Sequence, residues 1–161
     1  MCKSSIFLSG KYEESSPLIN GNKKTTMGKV SIVKVSENVK ESLLKSLNLI
    51  GKINCFINKN DKVMIKPNLN GLECTNINLT EALIQILFDN GNINIVLAES
   101  TFGNKLTTNK FFIDTGYLEL AKKYGIHIIN LNESKPIHIK VDNSLALKEI
   151  KIAKEVIKFD K

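Results

Sequence analysis

The chain has 161 residues, enough for one domain that buries a core without disulfide or metal staples. Hydrophobic residues make up 42% of it, which excludes disorder over most of its length, and no apolar run reaches membrane-spanning length. The formal net charge is +7, but all 23 basic residues are Lys and they are scattered; with no Arg to make bidentate phosphate or guanine contacts, the charge describes a solvated surface and argues against a nucleic-acid binder.

Residues 1–28 are polar, rich in Ser, Lys and Asn, and lack periodicity, so they are expected to form a disordered leader. The apolar stretch SIFL is too short for a signal-peptide core, which points to a cytoplasmic chain; Met27, just before the first regular segment, is a candidate start. From Lys29 the pattern is regular, and 29–161 is expected to be an α/β domain. KVSIVKV (29–35) alternates as a strand does. Ser36 is placed to cap a helix whose face is Val39, Leu43, Leu44, Leu47 and Ile50 and which Gly51 ends. Lys62–Lys66 reads as the second strand. Asn78 with Glu81 three residues on resembles a capping box, opening a helix that buries Leu79, Ala82, Leu83, Ile86 and Leu87 and stops at Asn90-Gly91.

The run from Ile93 to about Ala98 is nearly all apolar and reads as a central strand, followed by the polar loop ESTFGNKLTTNK. Asp114 or Thr115 is placed to cap a helix through Leu118, Leu120, Ala121 and Tyr124, closed by Gly125. IHIINL (126–131) is a fourth strand. IHIKV (137–141) reads as an edge strand or hairpin arm. The last stretch begins as strand at Ile150 and Ile152 and turns helical at Val156 and Ile157. Strands alternating with helices predict an open, mainly parallel, doubly wound α/β sheet of roughly five or six strands, with helices on both faces.

In such sheets ligands sit beyond the carboxyl ends of the strands. Strand two delivers Lys66-Pro67-Asn68 to that rim, followed by the loop to Thr75 and Asn76. Strand three delivers Glu99-Ser100, and the N–H groups opening the helix at about Asn78 are expected to face the same way. Lys66, Asn68, Thr75, Asn76, Glu99 and Ser100 are therefore the candidate ligand-binding residues, suited to a small anionic or carbonyl-bearing molecule. A structural account stands beside this one: Pro67 turns the chain, Asn68 bonds its own loop, and Lys66 pairs with Glu99 across neighbouring strands.

Other chemistry is thinly represented. Cys2, Cys55 and Cys74 form no CxxC pair and no metal-ligand spacing, and a lone rim thiol at Cys74 is most often an ordinary free cysteine. A ferredoxin-type cluster needs four thiolates, so no cofactor of that kind is expected within this chain, and no metal. His127 and His138 fall in strand segments without ligand partners. No GxGxxG follows the first strand, and GNKLTT (103–108) lacks the Walker spacing.

VSIVKV, KVMIKPNLNG, TNINLTEALIQILFDNG, INIVLAEST and the stretch from Phe111 through LELAKKYGIHIINLNE together resemble the domain of unknown function 362 family over about residues 29–161. The strongest points are the strand ending in Lys66-Pro67-Asn68 and the strand ending in Glu99-Ser100. The resemblance implies an α/β domain often found with iron–sulfur modules in anaerobic archaea and bacteria, hence a redox or iron–sulfur association by company kept. The chain departs from the family in lacking cluster cysteines and in stopping at EVIKFDK, where relatives continue into a further strand with a Lys-Thr-His motif. On that resemblance the domain is expected to be truncated at the C-terminus, with self-association or a partner chain at that sheet edge. The alternatives for function are a non-catalytic binding or assembly module, or an inactive truncated copy.

Overall fold

Val63, Ile65, Ile95 and Leu97 line up on one side of two neighbouring strands, and the core of the protein is built on them. The computed structural model describes residues 29–70, 74–102 and 104–161; the expected leader, residues 1–28, lies outside the described residues. The described elements are α1 (Val39–Ile50), β1 (Val63–Ile65), α2 (Ile77–Asp89), β2 (Ile95–Glu99), α3 (Lys105–Asp114), α4 (Tyr117–Tyr124), β3 (His127–Asn130), β4 (Pro136–Lys140) and β5 (Glu149–Ala153), with single 3-10 turns at Ile53–Cys55 and Lys154–Lys158.

β1, β2 and β3 form a parallel sheet in that order, with Ile65 opposite Leu97 and Leu97 opposite Ile128. Three parallel strands added in one direction need two crossovers, and right-handed crossovers of this kind return on the same side. Accordingly, Ile84 and Leu87 of α2, Phe112 of α3, and Tyr117, Leu120 and Ala121 of α4 join one cluster with the inward strand residues. α1 forms an outer layer, seating Leu43 and Leu47 on Ala82 and Ile86 of α2. Met64, Val96, Ala98 and Ile129 occupy the opposite face of the sheet.

The outer edge of β1 is also occupied. Asp160 and Lys161 N–H groups donate to Lys62 O, Met64 N–H donates to Lys161 O, and Lys62 N–H donates to the Asp160 carboxylate. Lys161 thus bonds Lys62 and Met64 alternately, as a parallel neighbour does. These bonds cap the outer edge of β1 with the chain's last two residues, while the sheet itself runs β1-β2-β3. The expected open, mainly parallel α/β fold is met; the helices expected on both faces are not seen among the described residues, because α2, α3 and α4 pack on one face of the sheet and α1 stacks on α2.

Several local expectations are corrected. Residues 29–35 form no strand: Val30 and Ile32 are 87% and 92% exposed. Alternation makes a strand only where a neighbour supplies a ladder, and this segment is instead held to α1 by Ser31–Ser46 and Ser36–Ser42 bonds. Asn38, not Ser36, caps α1, its side chain accepting from Glu41 N–H. Asn76 caps α2, so Glu81 is no capping-box partner. The loop expected after β2 contains α3, capped by Asn104, whose side chain accepts from Leu106 and Thr107 N–H. Gly116, at φ 78°, opens α4 where Asp114 or Thr115 was expected to cap it; a left-handed residue there sets the turn between two consecutive helices.

The five strands lie in two sheets. β4 and β5 pair antiparallel as a separate hairpin, with Ile137 opposite Ile152 and Ile139 opposite Ile150. These isoleucines are half-buried, while Val156 and Ile157 in the turn beyond are exposed.

Leu97 is fully buried at the centre of the main cluster. Leu97→Ala should cost about 2–5 kcal/mol in urea unfolding, the range for deleting a buried leucine. Glu81 gives a pH test. Its carboxylate accepts from Lys123 Nζ at 2.6 Å and Tyr124 OH at 2.8 Å, joining α2 to α4. The hydrogen bond from Lys123, then that from Tyr124, lowers its pKa below the ordinary 4.5. The contribution is therefore complete above that value and lost as pH falls through the folded pKa. The melting temperature of Glu81→Gln should fall less steeply than wild type between about pH 5 and pH 3, by differential scanning fluorimetry.

Candidate functional site

Glu99 is the last residue of β2, in phase with Leu97 and Ile95, so its side chain continues the inward row of a strand that is otherwise apolar. It is fully buried. One carboxylate oxygen, Oε1, accepts from Lys66 Nζ at 2.7 Å and from Ser100 N–H at 2.6 Å. The other, Oε2, is buried and accepts no hydrogen bond among the described residues. The Lys66 side chain is 52% exposed, so the pair joins an enclosed anion to a half-solvated cation. Charge-assisted bonds stabilise such a carboxylate, but an empty acceptor in the interior remains costly.

The remaining candidates lie around this pair in supporting roles. Asn68 N–H donates to Thr75 Oγ1 and Thr75 N–H donates to Asn68 O, so the loop after β1 closes on itself. Asn68 Oδ1 also accepts from Asn70 N–H, which is the structural role the sequence left open for it. Asn76 Oδ1 accepts from Asn78 N–H, and Asn76 O accepts from Leu79 and Thr80 N–H. The helix N–H groups expected to face a ligand are thus largely spent on the cap. Ser100 is half-buried and contributes its N–H to Glu99.

Several residues at the rim carried no sequence signal. Asn130, opposite Glu99 in the register, donates to Lys105 O and to Asn109 Oδ1. Thr101 and Thr108 are buried and share a hydroxyl bond of 2.9 Å; Asn132 donates to Thr108 Oγ1 and Thr101 O. This network pins the start of α3 over the ends of β2 and β3. Asn130 could have been found by the same logic as Glu99, since it is the polar residue ending the next strand. The threonines depend on a helix whose segment reads as a polar loop in the sequence.

Tyr117 ties the rim to the helices. Its ring is buried, and its hydroxyl bonds Thr80 Oγ1 at 2.8 Å and donates to Thr75 O at 3.2 Å. Burial raises the Tyr117 pKa, against the Thr80 hydrogen bond, and the nearby Cys74 thiolate would raise it further. Cys74 is half-buried and Cys55 exposed, and among the described residues neither forms a disulfide. His127 is exposed on β3, and His138 pairs with Glu149 across the hairpin. Among the described residues, no group of three or more His, Cys, Asp or Glu side chains could hold a metal ion, and no helix is long and apolar enough to cross a membrane.

Two clefts are described away from the rim. One, of about 510 Å³, lies between α1 and α2 and is lined by Lys40, Glu81 and Gln85 among others. The other, of about 460 Å³, lies along α3 beside Leu106 and Phe111. Neither contains Lys66 or Glu99.

The fold and rim define an open α/β domain whose polar carboxyl edge centres on a buried, cation-paired carboxylate. The chain matches the family model described as Domain of unknown function (DUF362) over residues 63–161, and it belongs to that family. Comparison with curated proteins and with solved structures finds no match.

Removing the Tyr117 hydroxyl leaves the Thr75 carbonyl and Thr80 hydroxyl short of a partner. Tyr117→Phe should lower stability by about 1–3 kcal/mol in denaturant unfolding. The Lys66–Glu99 pair should respond unequally. Lys66→Met strands a buried carboxylate and should cost about 3–5 kcal/mol, whereas Glu99→Gln leaves a lysine already half in water and should cost clearly less. Unfolding curves of the two variants at neutral pH measure the difference.

Proposed function

We propose that this chain binds a small molecule at the carboxyl edge of its sheet, as a metabolite- or cofactor-handling domain with Glu99 as the receiving group. The observation that carries the reading is Glu99 Oε2, an oxygen of a fully buried carboxylate with no hydrogen-bond donor among the described residues. Buried polar atoms are nearly always paired, and a structural ion pair gains nothing from leaving one acceptor empty. A ligand that donates an N–H or O–H to Oε2 removes that cost. Lys66 Nζ has three N–H groups, one of them directed to Glu99, so the same ligand can set a carbonyl or anionic oxygen against the ammonium. The ligand class is therefore a small polar molecule that carries both a donor and a carbonyl or anionic acceptor.

The family resemblance extends this proposal to redox-linked metabolism. The chain's own residues do not fit an iron–sulfur cluster, since three cysteines fall short of the four thiolates required. A cluster would therefore need ligands from outside these residues.

The test is a screen by NMR chemical-shift perturbation, using small amides, amino acids and nucleobases as probes. Hits should move the Ser100 amide, and binding should weaken about tenfold or more in Glu99→Gln, equivalent to about 1.4 kcal/mol. Hits that perturb the rim equally in wild type and Glu99→Gln would remove Glu99 from the role.

A second reading, a non-catalytic assembly module, is favoured by the exposure of Val30, Ile32 and Val35 in a segment patterned as a strand but unpaired. Such a segment is a template for pairing with another chain. Light scattering across a concentration series should then show association in wild type and a monomer in Ile32→Lys.

A further inference from the structure

β4 and β5 make a sheet of only two strands among the described residues. Ile137, Ile139, Ile150 and Ile152 share one of its faces and belong to neither core cluster. A two-stranded hairpin is marginal in water and gains stability when further strands extend its apolar face. The opposite face carries His138, Glu149 and Lys151, all exposed.

The hydrogen bonds within the hairpin fix what its edges offer. Val141 N–H donates to Lys148 O and Lys154 N–H donates to Lys135 O, each between residues directly opposed in the register. Bonded pairs alternate along an antiparallel ladder, so Ile150 and Ile152 spend their N–H and C=O groups on β4, and those of Glu149, Lys151 and Ala153 point outward. On the other edge the outward residues are Pro136, His138 and Lys140, and Pro136 has no N–H to give. β5 is therefore the edge equipped to pair.

Charge selects the partner and the register. A lone outward Lys guards a strand edge against pairing, but Glu149 two residues before Lys151 makes this edge self-complementary. Lys151 opposite its own copy, or Glu149 opposite its own copy, would set like charges against each other. A two-fold axis at Ile150 sets Glu149 against Lys151 of the second copy, and symmetry repeats the pair. We propose that β5 pairs antiparallel with β5 of a second copy of this chain about a two-fold axis at Ile150, giving a sheet in the order β4-β5-β5-β4. Glu149 and Lys151 exchange backbone bonds across the axis, Ile150 packs on its own copy, and the isoleucine face is continuous through both hairpins. Glu149 keeps its contact with His138 on one side and gains Lys151 of the second copy on the other. The contact is one strand wide, smaller than a permanent interface, so association depends on protein concentration. This surface is separate from the Glu99 rim and from residues 29–35.

Sedimentation velocity of the full chain across an about hundredfold concentration series reads the association. Wild type should pass from monomer to dimer. Lys151→Glu sets like charges opposite each other at both symmetric positions and should weaken the dimer about tenfold or more. Glu149→Lys combined with Lys151→Glu restores opposite charges and should bring the dimer back to within about threefold of wild type, which a misfolded hairpin could not do. A monomer at every concentration, a dimer indifferent to Lys151→Glu, or no recovery in the double variant would overturn the proposal. A dimer that Ile32→Lys dissociates and Lys151→Glu does not would also overturn it, and would assign the interface to residues 29–35.

Discussion

The parallel register that sets Leu97 between Ile65 and Ile128 governs the rest of this structure. A strand flanked on both sides must send its inward side chains into the helices, and those of β2 are apolar until the last. Glu99 is held in phase by the same ladder. It arrives inside the protein because its strand leaves it no other direction. Lys66 reaches it from the neighbouring strand end, with its stem partly enclosed and its ammonium near water, which is how a long cationic side chain meets an interior anion at least cost.

Polar residues around that point are largely occupied with one another. Asn76 completes the helix start, Asn68 and Thr75 close a loop, and Asn130, Asn132, Thr101 and Thr108 fasten α3. This division of labour separates scaffold from site. Buried amides and hydroxyls that satisfy each other make a stiff rim, and a stiff rim holds one unsatisfied group in a defined position. Glu99 Oε2 stands out because its surroundings are otherwise well paired.

The connection from β3 back to β1 shapes the molecule in a second way. After the hairpin, the chain returns to the outer edge of β1 and bonds Lys62 and Met64 there. Lys66 consequently follows a strand bonded along one edge to β2 and along the other to the last two residues of the chain. Open α/β sheets keep their ligand crevices beyond the carboxyl ends of their strands, which is where Lys66 and Glu99 lie.

Much of this was legible in the sequence. The helical faces of α1, α2 and α4, the apolar run of β2, the hairpin arm after Pro136 and the contact of Lys66 with Glu99 come from periodicity and from where strands end. These are local patterns, and local patterns suffice when burial repeats every two or every 3.6 residues. Other features needed the tertiary structure. Residues 29–35 have a strand's alternation without a strand, since pairing depends on a neighbour elsewhere in the chain. α3 is mostly polar or surface-facing and is stabilised by its Asn104 cap and by the seating of Phe112 and Thr108, contacts made across the fold. The state of Glu99, with one oxygen accepting two hydrogen bonds and the other none among the described residues, could be known only once the ends of β1 and β2 had been brought to one edge. By itself the sequence determined that a carboxylate and a lysine end adjacent strands; the packing around them decided that the carboxylate is enclosed and half unpaired, because burial belongs to the assembled layers and not to any one strand.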